Sequence, residues 1–107
     1  MMNSGHVNPL FGILPKEKRL VGQAKSGDIH AFVELYDACV ERVYRYVYFL
    51  VPNTKVAGGL TFQVFFKAWE KLEHYQIFNS PFISWLYSIA QDQIVSYSRT
   101  HERVAEP

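Results

Sequence analysis

The chain has 107 residues and a formal net charge of +1 at pH 7, from 11 Lys and Arg against 10 Asp and Glu. This balance gives no compositional argument for nucleic-acid binding, although it leaves room for a local basic patch. Hydrophobic residues make up 49% of the chain, which is enough to bury a core in one domain and excludes wholesale disorder. The one cysteine, Cys39, excludes an intramolecular disulfide framework and a Cys-rich zinc site, and it favours a reducing, cytoplasmic compartment.

The first 15 residues are predicted to form a flexible N-terminal arm. They lack the basic segment and the following apolar segment of a secretory signal peptide. No apolar run in the sequence approaches the roughly 20 residues that a membrane span needs, so we predict no membrane span. A small apolar cluster at residues 10–14 leaves a second interpretation open, in which the arm docks on the domain or on a neighbouring molecule.

Two helices are predicted in the first half of the body. The first covers residues 16–25, begins after Pro15 and ends at Gly27, because glycine suits the left-handed residue that follows a helix. The second covers residues 29–50, with Asp28 as its N-cap and apolar residues at steps of three and four.

Two further helices are predicted in the second half. The third lies within residues 54–73, and its regular part is expected to begin only near Leu60, because Gly58-Gly59 is unfavourable inside a helix. The fourth follows Ser80-Pro81, an N-cap and a proline at the first helical position, and covers residues 82–100.

The predicted fold is all-α, a compact four-helix domain over residues 16–103. Residues 104–107 are predicted to be a tail or the start of a linker. The sequence has no glycine-rich phosphate loop and no His, Cys or carboxylate spacing typical of a metal site. Cys39 lacks the surrounding pattern of a thiol nucleophile. We therefore predict neither an enzyme nor a cofactor, and no catalytic or metal-binding residues.

Three blocks of sequence, in a characteristic order and spacing, resemble a known family. They are GDIHAFVELY at 27–36, continuing into RVYRYV at 42–47; LTFQVFFKAWEKL at 60–72; and FISWLYSIA at 82–90, followed by VSYSR at 95–99. Over residues 20–103 the chain resembles region 2 of bacterial RNA polymerase sigma factors of the extracytoplasmic-function (ECF) group. The resemblance implies a transcription initiation domain without enzymatic activity.

The resemblance further implies two contact surfaces and their residues. The second and third helices would bind the clamp coiled coil of the largest subunit of RNA polymerase, through Tyr44, Arg45, Tyr48, Thr61, Phe62, Gln63 and Lys67. The loop before the fourth helix and the polar face of that helix would hold the single-stranded −10 promoter element, through Tyr75, Phe78, Asn79, Ser84, Ser88, Gln91, Arg99 and Arg103. An anti-sigma factor is a further partner that the resemblance leaves open.

The chain departs from the family pattern mainly at charged positions. Gly58-Gly59 and Phe62-Gln63 stand where the family has Glu-Asp and Gln-Glu, and serines and a threonine replace basic residues of the fourth helix. An alternative function follows, a degenerate sigma-like module for protein–protein interaction or self-association with weak or no DNA binding. Two interpretations of Phe66 stay open, a core residue or, with Phe62, an altered partner-binding patch. Trp69 and Trp85 are interpreted as packing residues.

Overall fold

The computed structural model describes the backbone of residues 9–77 and 79–105, and the side chains of residues 16–77 and 79–101. Within these ranges the chain forms helices and no strands, which confirms the all-α prediction. A short 3-10 helix, Leu72–His74, follows the third of the α-helices. The four α-helices are α1 (Pro9–Lys25), α2 (Ile29–Leu50), α3 (Thr54–Lys71) and α4 (Phe82–Ala105).

The start of α1 differs from the prediction. The helix begins at Pro9, seven residues before the predicted start at Lys16, so residues 9–15 of the predicted arm have a helical backbone. Pro9 suits the first position because the backbone there needs no N–H donor. Pro15 lies inside the helix and costs it one hydrogen bond, but it does not start the helix. The remainder of the predicted arm, residues 1–8, lies outside the described residues.

The end of α4 also differs from the prediction. The helix continues to Ala105, five residues beyond Thr100, and so includes the first two residues of the predicted tail. The added residues have moderate to high helix propensity, and no glycine or proline interrupts them. Residues 106–107 lie outside the described residues.

The predicted boundaries of α2 are confirmed, and its caps explain them. The carboxylate of Asp28 accepts hydrogen bonds from the backbone N–H groups of His30 and Ala31, at 3.0 and 3.3 Å. Gly27 has a φ of 99°, a conformation that glycine adopts without steric cost, and it lets the chain turn from α1 into α2. A turn of three residues then joins α2 to α3, which makes them antiparallel neighbours.

The predicted late start of α3 is wrong. The helix begins at Thr54 and continues through Gly58-Gly59 without a break. The side chain of Asn53 caps it by accepting a hydrogen bond from the N–H of Val56 at 3.0 Å. Ala57, in the same first turns, is fully buried. The cap and the buried packing offset the glycine penalty, which is about 1 kcal/mol per residue.

The core lies where α2, α3 and α4 meet, and α1 packs on α2. The largest side chains with no exposed surface come from all three central helices: Val43, Val47, Val64, Phe82 and Leu86. This arrangement leaves one long side of the α2–α3 pair and the polar side of α4 facing solvent.

The start of α4 is built differently from the prediction. The carbonyl of Pro81 accepts the first helical hydrogen bond, from the N–H of Trp85 at 3.1 Å, so Pro81 rather than Ser80 is the N-cap residue. Proline has no side-chain acceptor, and the N–H of Phe82 instead donates to Glu17 Oε2 of α1 at 2.8 Å. Glu17 is buried, with 7% of its surface exposed. A residue distant in sequence therefore supplies the cap.

Candidate functional site

The α2 part of the predicted polymerase surface is accessible. Tyr44 is half-buried and stacks on Tyr48 with ring centroids 6.0 Å apart, and Tyr48 is exposed. The guanidinium of Arg45 is exposed and donates to the carboxylate of Glu41, one turn earlier, at 2.8 Å. An exposed pair of this kind contributes little to stability, so Arg45 is free to exchange Glu41 for another acceptor.

The α3 part of the predicted polymerase surface is divided. Thr61 is buried and its hydroxyl donates to the carbonyl of Ala57 at 2.7 Å, so the hydroxyl is used inside the helix and is not free for a partner. Phe62 and Gln63 are exposed, whereas Lys67 is half-buried. The structure therefore presents Phe62 and Gln63 at the surface and Lys67 in part.

A shallow groove joins the two helices at this surface. It is lined from α2 by Tyr36, Val40, Glu41 and Tyr44, and from α3 by Gly58, Thr61 and Phe62. The structure thus brings Tyr44 and Phe62 together in one groove. Arg45, Tyr48, Gln63 and Lys67 do not line it.

A second groove, which we call the apolar groove, continues along the same helix pair, and the sequence reasoning missed it apart from the patch of Phe62 and Phe66. Its exposed lining residues are Ile29, Val33, Tyr36, Phe62, Phe66 and Trp69. Its floor is formed by Phe32 and Phe65, which are buried. The sequence signal that could have revealed it is the row of apolar residues spaced by four and three at the start of α2.

The exposure of the rings in the apolar groove decides between the two interpretations of Phe66. Phe66 is 48% exposed and Phe62 is 66% exposed, and their rings stack with centroids 6.2 Å apart. Phe66 is therefore a surface residue that shares a patch with Phe62, and it is not part of the core. Trp69 packs its ring against Phe32, with ring centroids 5.0 Å apart, but remains 37% exposed. It therefore contributes both to packing and to the surface of the groove.

Tyr75 lies in the loop before α4 and is one of the residues predicted from the sequence to bind DNA. Tyr75 is 3% exposed, and its ring stacks on Trp85 at 4.6 Å and meets the edge of Phe82 at 5.6 Å. Its hydroxyl donates to the carbonyl of Ser80 at 2.6 Å. Burial, and secondarily the negative charge of Glu17, raise the pKa of Tyr75 above its usual range.

Tyr75 is therefore a core residue, and the prediction that it stacks on a base is corrected, because its ring is covered by its own chain. Trp85 is half-buried in the same cluster, as expected for a packing residue. Asn79 is exposed and available to a ligand. Phe78 lies outside the described residues.

The predicted DNA-binding residues of α4 form one exposed stripe, because they recur at three- and four-residue steps. We call this the α4 stripe; its exposed members are Ser84, Ser88, Gln91 and Arg99, and the exposed Val95 lies between the last two. The hydroxyl of Ser88 donates to the carbonyl of Trp85 at 2.7 Å. Among the described side chains of the stripe, Arg99 carries the only positive charge, and the exposed Asp92 lies one turn after Ser88 on the same helix. The side chain of Arg103 lies outside the described residues.

No group of three or more His, Cys, Asp or Glu side chains among the described residues could hold a metal ion. Burial raises the pKa of the Cys39 thiol to about 11, with the nearby Arg42 lowering it and Glu17 raising it by smaller amounts. At neutral pH this thiol is protonated and is a poor nucleophile. None of the helices in the described part of the chain is long and apolar enough to cross a membrane.

Comparison with known proteins shows which family this chain is similar to. The model of the sigma-70 region 2 family matches residues 35–104. The ECF RNA polymerase sigma factor BldN of Streptomyces coelicolor is 31% identical over 81 residues, which cover 76% of this chain and 31% of that protein. The ECF RNA polymerase sigma factor SigW of Bacillus subtilis is 28% identical over 82 residues, which cover 77% of this chain and 43% of that protein. The matched segment is thus less than half the length of either relative. No solved structure gives a significant match.

Proposed function

This chain belongs to the sigma-70 region 2 family, and from that premise we propose that it serves in transcription initiation, by binding core RNA polymerase and the single-stranded −10 promoter element. The observation that carries the proposal is the extent of the family match, because residues 35–104 include most of α2 and α4 and all of α3. Those are the elements that present the groove between Tyr44 and Phe62 and the α4 stripe.

The proposed polymerase contact uses the α2–α3 surface. A helical partner such as the clamp coiled coil fits a shallow groove between two antiparallel helices, with apolar residues at the centre and polar residues at the edge. Here Phe62 and Tyr44 are central, and Arg45 and Gln63 are at the edge. Since carboxylates of the family pattern are missing at Gly58-Gly59, the contact is proposed to depend on apolar burial more than on charge.

The proposed DNA contact uses the α4 stripe and Asn79. Serine, glutamine and arginine side chains can donate hydrogen bonds to phosphates and to the edges of unpaired bases. Each phosphate that a cation neutralises adds to the salt dependence of binding. With Arg99 as the only described cation of the stripe, non-specific attraction is weak, and affinity is proposed to arise from hydrogen bonds to a melted strand.

The test is a titration of the 107-residue chain against a clamp coiled-coil fragment, and separately against a fluorescent single-stranded −10 oligonucleotide. We expect micromolar clamp binding that Tyr44→Ala weakens at least several-fold. Phe49→Ala is the matched control, since Phe49 is 82% exposed on α2 but lines neither groove. Failure of the folded wild-type chain to bind the clamp fragment would overturn the polymerase part of the proposal.

A second candidate function is a sigma-like module that binds protein without binding DNA. It is favoured by the sparse positive charge of the α4 stripe and by the exposed carboxylate of Asp92. The oligonucleotide titration separates the two candidates. Measurable affinity that Arg99→Gln lowers supports the sigma role, while clamp binding with no oligonucleotide affinity supports the protein-binding module.

A further inference from the structure

The apolar groove exposes a large hydrophobic surface for a single chain of this size. Its six exposed residues keep between 37% and 66% of their surface accessible. An aromatic side chain carries roughly 150–250 Å² of surface, so the groove exposes about 500 Å² of nearly continuous apolar area. A patch of that size is at the upper end of what monomeric proteins show, and it marks an interaction site.

The shape of the groove suits a copy of itself. The stacked rings of Phe62 and Phe66 form a ridge on α3, with Phe62 the most exposed of the lining residues. Beside the ridge, the buried rings of Phe32 and Phe65 form the floor of a hollow. A ridge next to a hollow on one face is self-complementary, because a two-fold axis places the ridge of each copy in the hollow of the other.

The area also fits a second copy. Two patches of about 500 Å² bury about 1,000 Å² in total, which reaches the lower bound of a specific interface. We propose that the apolar groove is the interface of a two-fold symmetric dimer, in which the outer faces of α2 and α3 from two copies pack together. At this size the dimer is weak, with a dissociation constant of roughly micromolar or higher.

The charges at the edge of the groove predict how the dimer responds to salt. Asp37 follows Val33 by one turn, and Glu70 follows Phe66 by one turn, so a carboxylate lies beyond each apolar row, and both are exposed. Lys25 lines the surface beside Trp69 and Glu70, so the edge carries charges of both signs, and their screening by salt leaves the apolar contact in place. The dimer is therefore expected to change little in affinity as the salt concentration rises, whereas binding driven by opposite charges weakens.

The dimer has a consequence that rests on the proposed function. Tyr36 and Phe62 line both the apolar groove and the neighbouring groove assigned to polymerase. Residues buried between two copies are unavailable to a clamp helix, so the dimer and the polymerase complex exclude each other. Self-association then keeps the domain in an inactive dimer. The dimer dissociates on dilution, or when polymerase binds the monomer.

The experiment measures molar mass by sedimentation equilibrium on the 107-residue chain alone, from about 1 μM to about 500 μM, a range that covers weak dimers. Phe62→Gln and Val33→Gln each place an amide in the groove from a different helix. Both residues are at least 47% exposed, so the fold is retained, which circular dichroism checks. Phe49→Gln makes the same change at an exposed position outside the groove and is the control.

We expect a concentration-dependent dimer for the wild-type chain and for Phe49→Gln, at least ten-fold weaker association for both groove variants, and association that changes little with salt. A wild-type chain that stays monomeric throughout, or a dimer weakened by Phe49→Gln and unaffected by the groove variants, would overturn the proposal. In the monomer-only case, clamp binding that Val33→Gln weakens would assign the groove to a partner helix. Because polymerase and DNA are absent from the main measurement, its outcome is independent of the proposed function.

Discussion

Glu17 of α1 accepts a hydrogen bond at 2.8 Å from the backbone N–H of Phe82, 65 residues later in the chain. The first N–H groups of a helix have no partner inside it, and they carry its partial positive charge. A buried carboxylate at that point both satisfies a donor and balances the charge. α1 therefore fixes the start of α4, the helix that carries the proposed DNA-binding stripe.

Replacement of Glu17 by alanine is predicted to lower the free energy of unfolding by about 2–3 kcal/mol, because it leaves the buried N–H of Phe82 without a partner. Glu17→Gln keeps a neutral oxygen acceptor of the same shape and is predicted to cost about half as much. Urea denaturation followed by circular dichroism measures both values. Equal stability of Glu17→Ala and the wild-type chain would show that water replaces the carboxylate without cost.

Gly59 lies in the interior of α3, and a Cβ atom added there would meet no other atom within 4 Å. Gly59→Ala is therefore predicted to raise the free energy of unfolding by about 0.5–1 kcal/mol, through the helix propensity of alanine and reduced freedom of the unfolded chain. Thermal denaturation should show a Tm higher by a few degrees.

Gly27→Ala is the matched control for this change. Its added Cβ also meets no atom within 4 Å, but Gly27 has a φ of 99°, where a side chain is strained. Gly27→Ala is predicted to lower the free energy of unfolding by about 1 kcal/mol. Two Gly→Ala substitutions with open space and opposite effects would isolate backbone conformation as the cause; a loss of stability in both would contradict this explanation of α3.

Local signals predicted most of the fold. Asp28 and Gly27 specify the junction between α1 and α2 through cap and turn chemistry that involves neighbouring residues, and the structure confirms both. The start of α3 was predicted wrongly because the cost of Gly58-Gly59 is local, whereas the burial of Ala57 that offsets it depends on the assembled core. The Glu17 cap of α4 could not be read from the sequence for the same reason.

The candidate site, like the fold, was predicted in part from local sequence and depends in part on the assembled core. The resemblance to the family predicted contacts on α2, α3 and α4, and helical spacing explains why the residues predicted on α4 share one face. Which of the predicted residues reach the surface depends on how the helices pack. Tyr75 is covered by its own chain and the hydroxyl of Thr61 is used inside α3, while Phe66 and Trp69 remain at the surface. An apolar residue at helical spacing is equally compatible with core or surface until the neighbouring helices are placed.

The stability of the domain is predicted to fall at alkaline pH. In the unfolded chain the thiol of Cys39 ionises around its ordinary pKa of 9.0, but burial raises that pKa to about 11 in the folded chain. Unfolding then releases a proton, so the stabilising contribution is complete below pH 9.0 and is lost as the pH rises toward about 11. The raised pKa of Tyr75 acts in the same direction at higher pH.

The check is the slope of unfolding free energy against pH between 9.0 and about 11, where the thiol contribution is lost. Cys39→Ala removes the thiol and is predicted to flatten the slope, whatever its effect on stability at neutral pH. Alkylation of Cys39 by iodoacetamide at pH 8 should be slow in the folded chain and fast in urea. If the slope is unchanged in Cys39→Ala, groups other than this thiol cause the loss of stability at alkaline pH.

The two tryptophans are predicted to differ in their contribution to stability, although both stand at packing positions of the family pattern. Trp85 contacts two rings, Tyr75 at 4.6 Å and Phe82 at 5.8 Å, and it closes the cluster at the start of α4. Trp69 contacts Phe32 alone among the described aromatic rings and leaves 37% of its surface exposed. Loss of a large packed side chain costs about 3–5 kcal/mol when it is buried and less when part of its surface is already in water.

Trp85→Ala is therefore predicted to lower the free energy of unfolding by about 3 kcal/mol, and Trp69→Ala by about half of that. Chemical denaturation of the two variants measures the difference, and far-ultraviolet circular dichroism confirms that the helices remain before denaturant is added. Because Trp69 lines the apolar groove, Trp69→Ala should also weaken self-association, whereas Trp85→Ala should leave it unchanged in chains that stay folded. A larger stability loss for Trp69→Ala would place that residue in the core and reduce the area available to the groove.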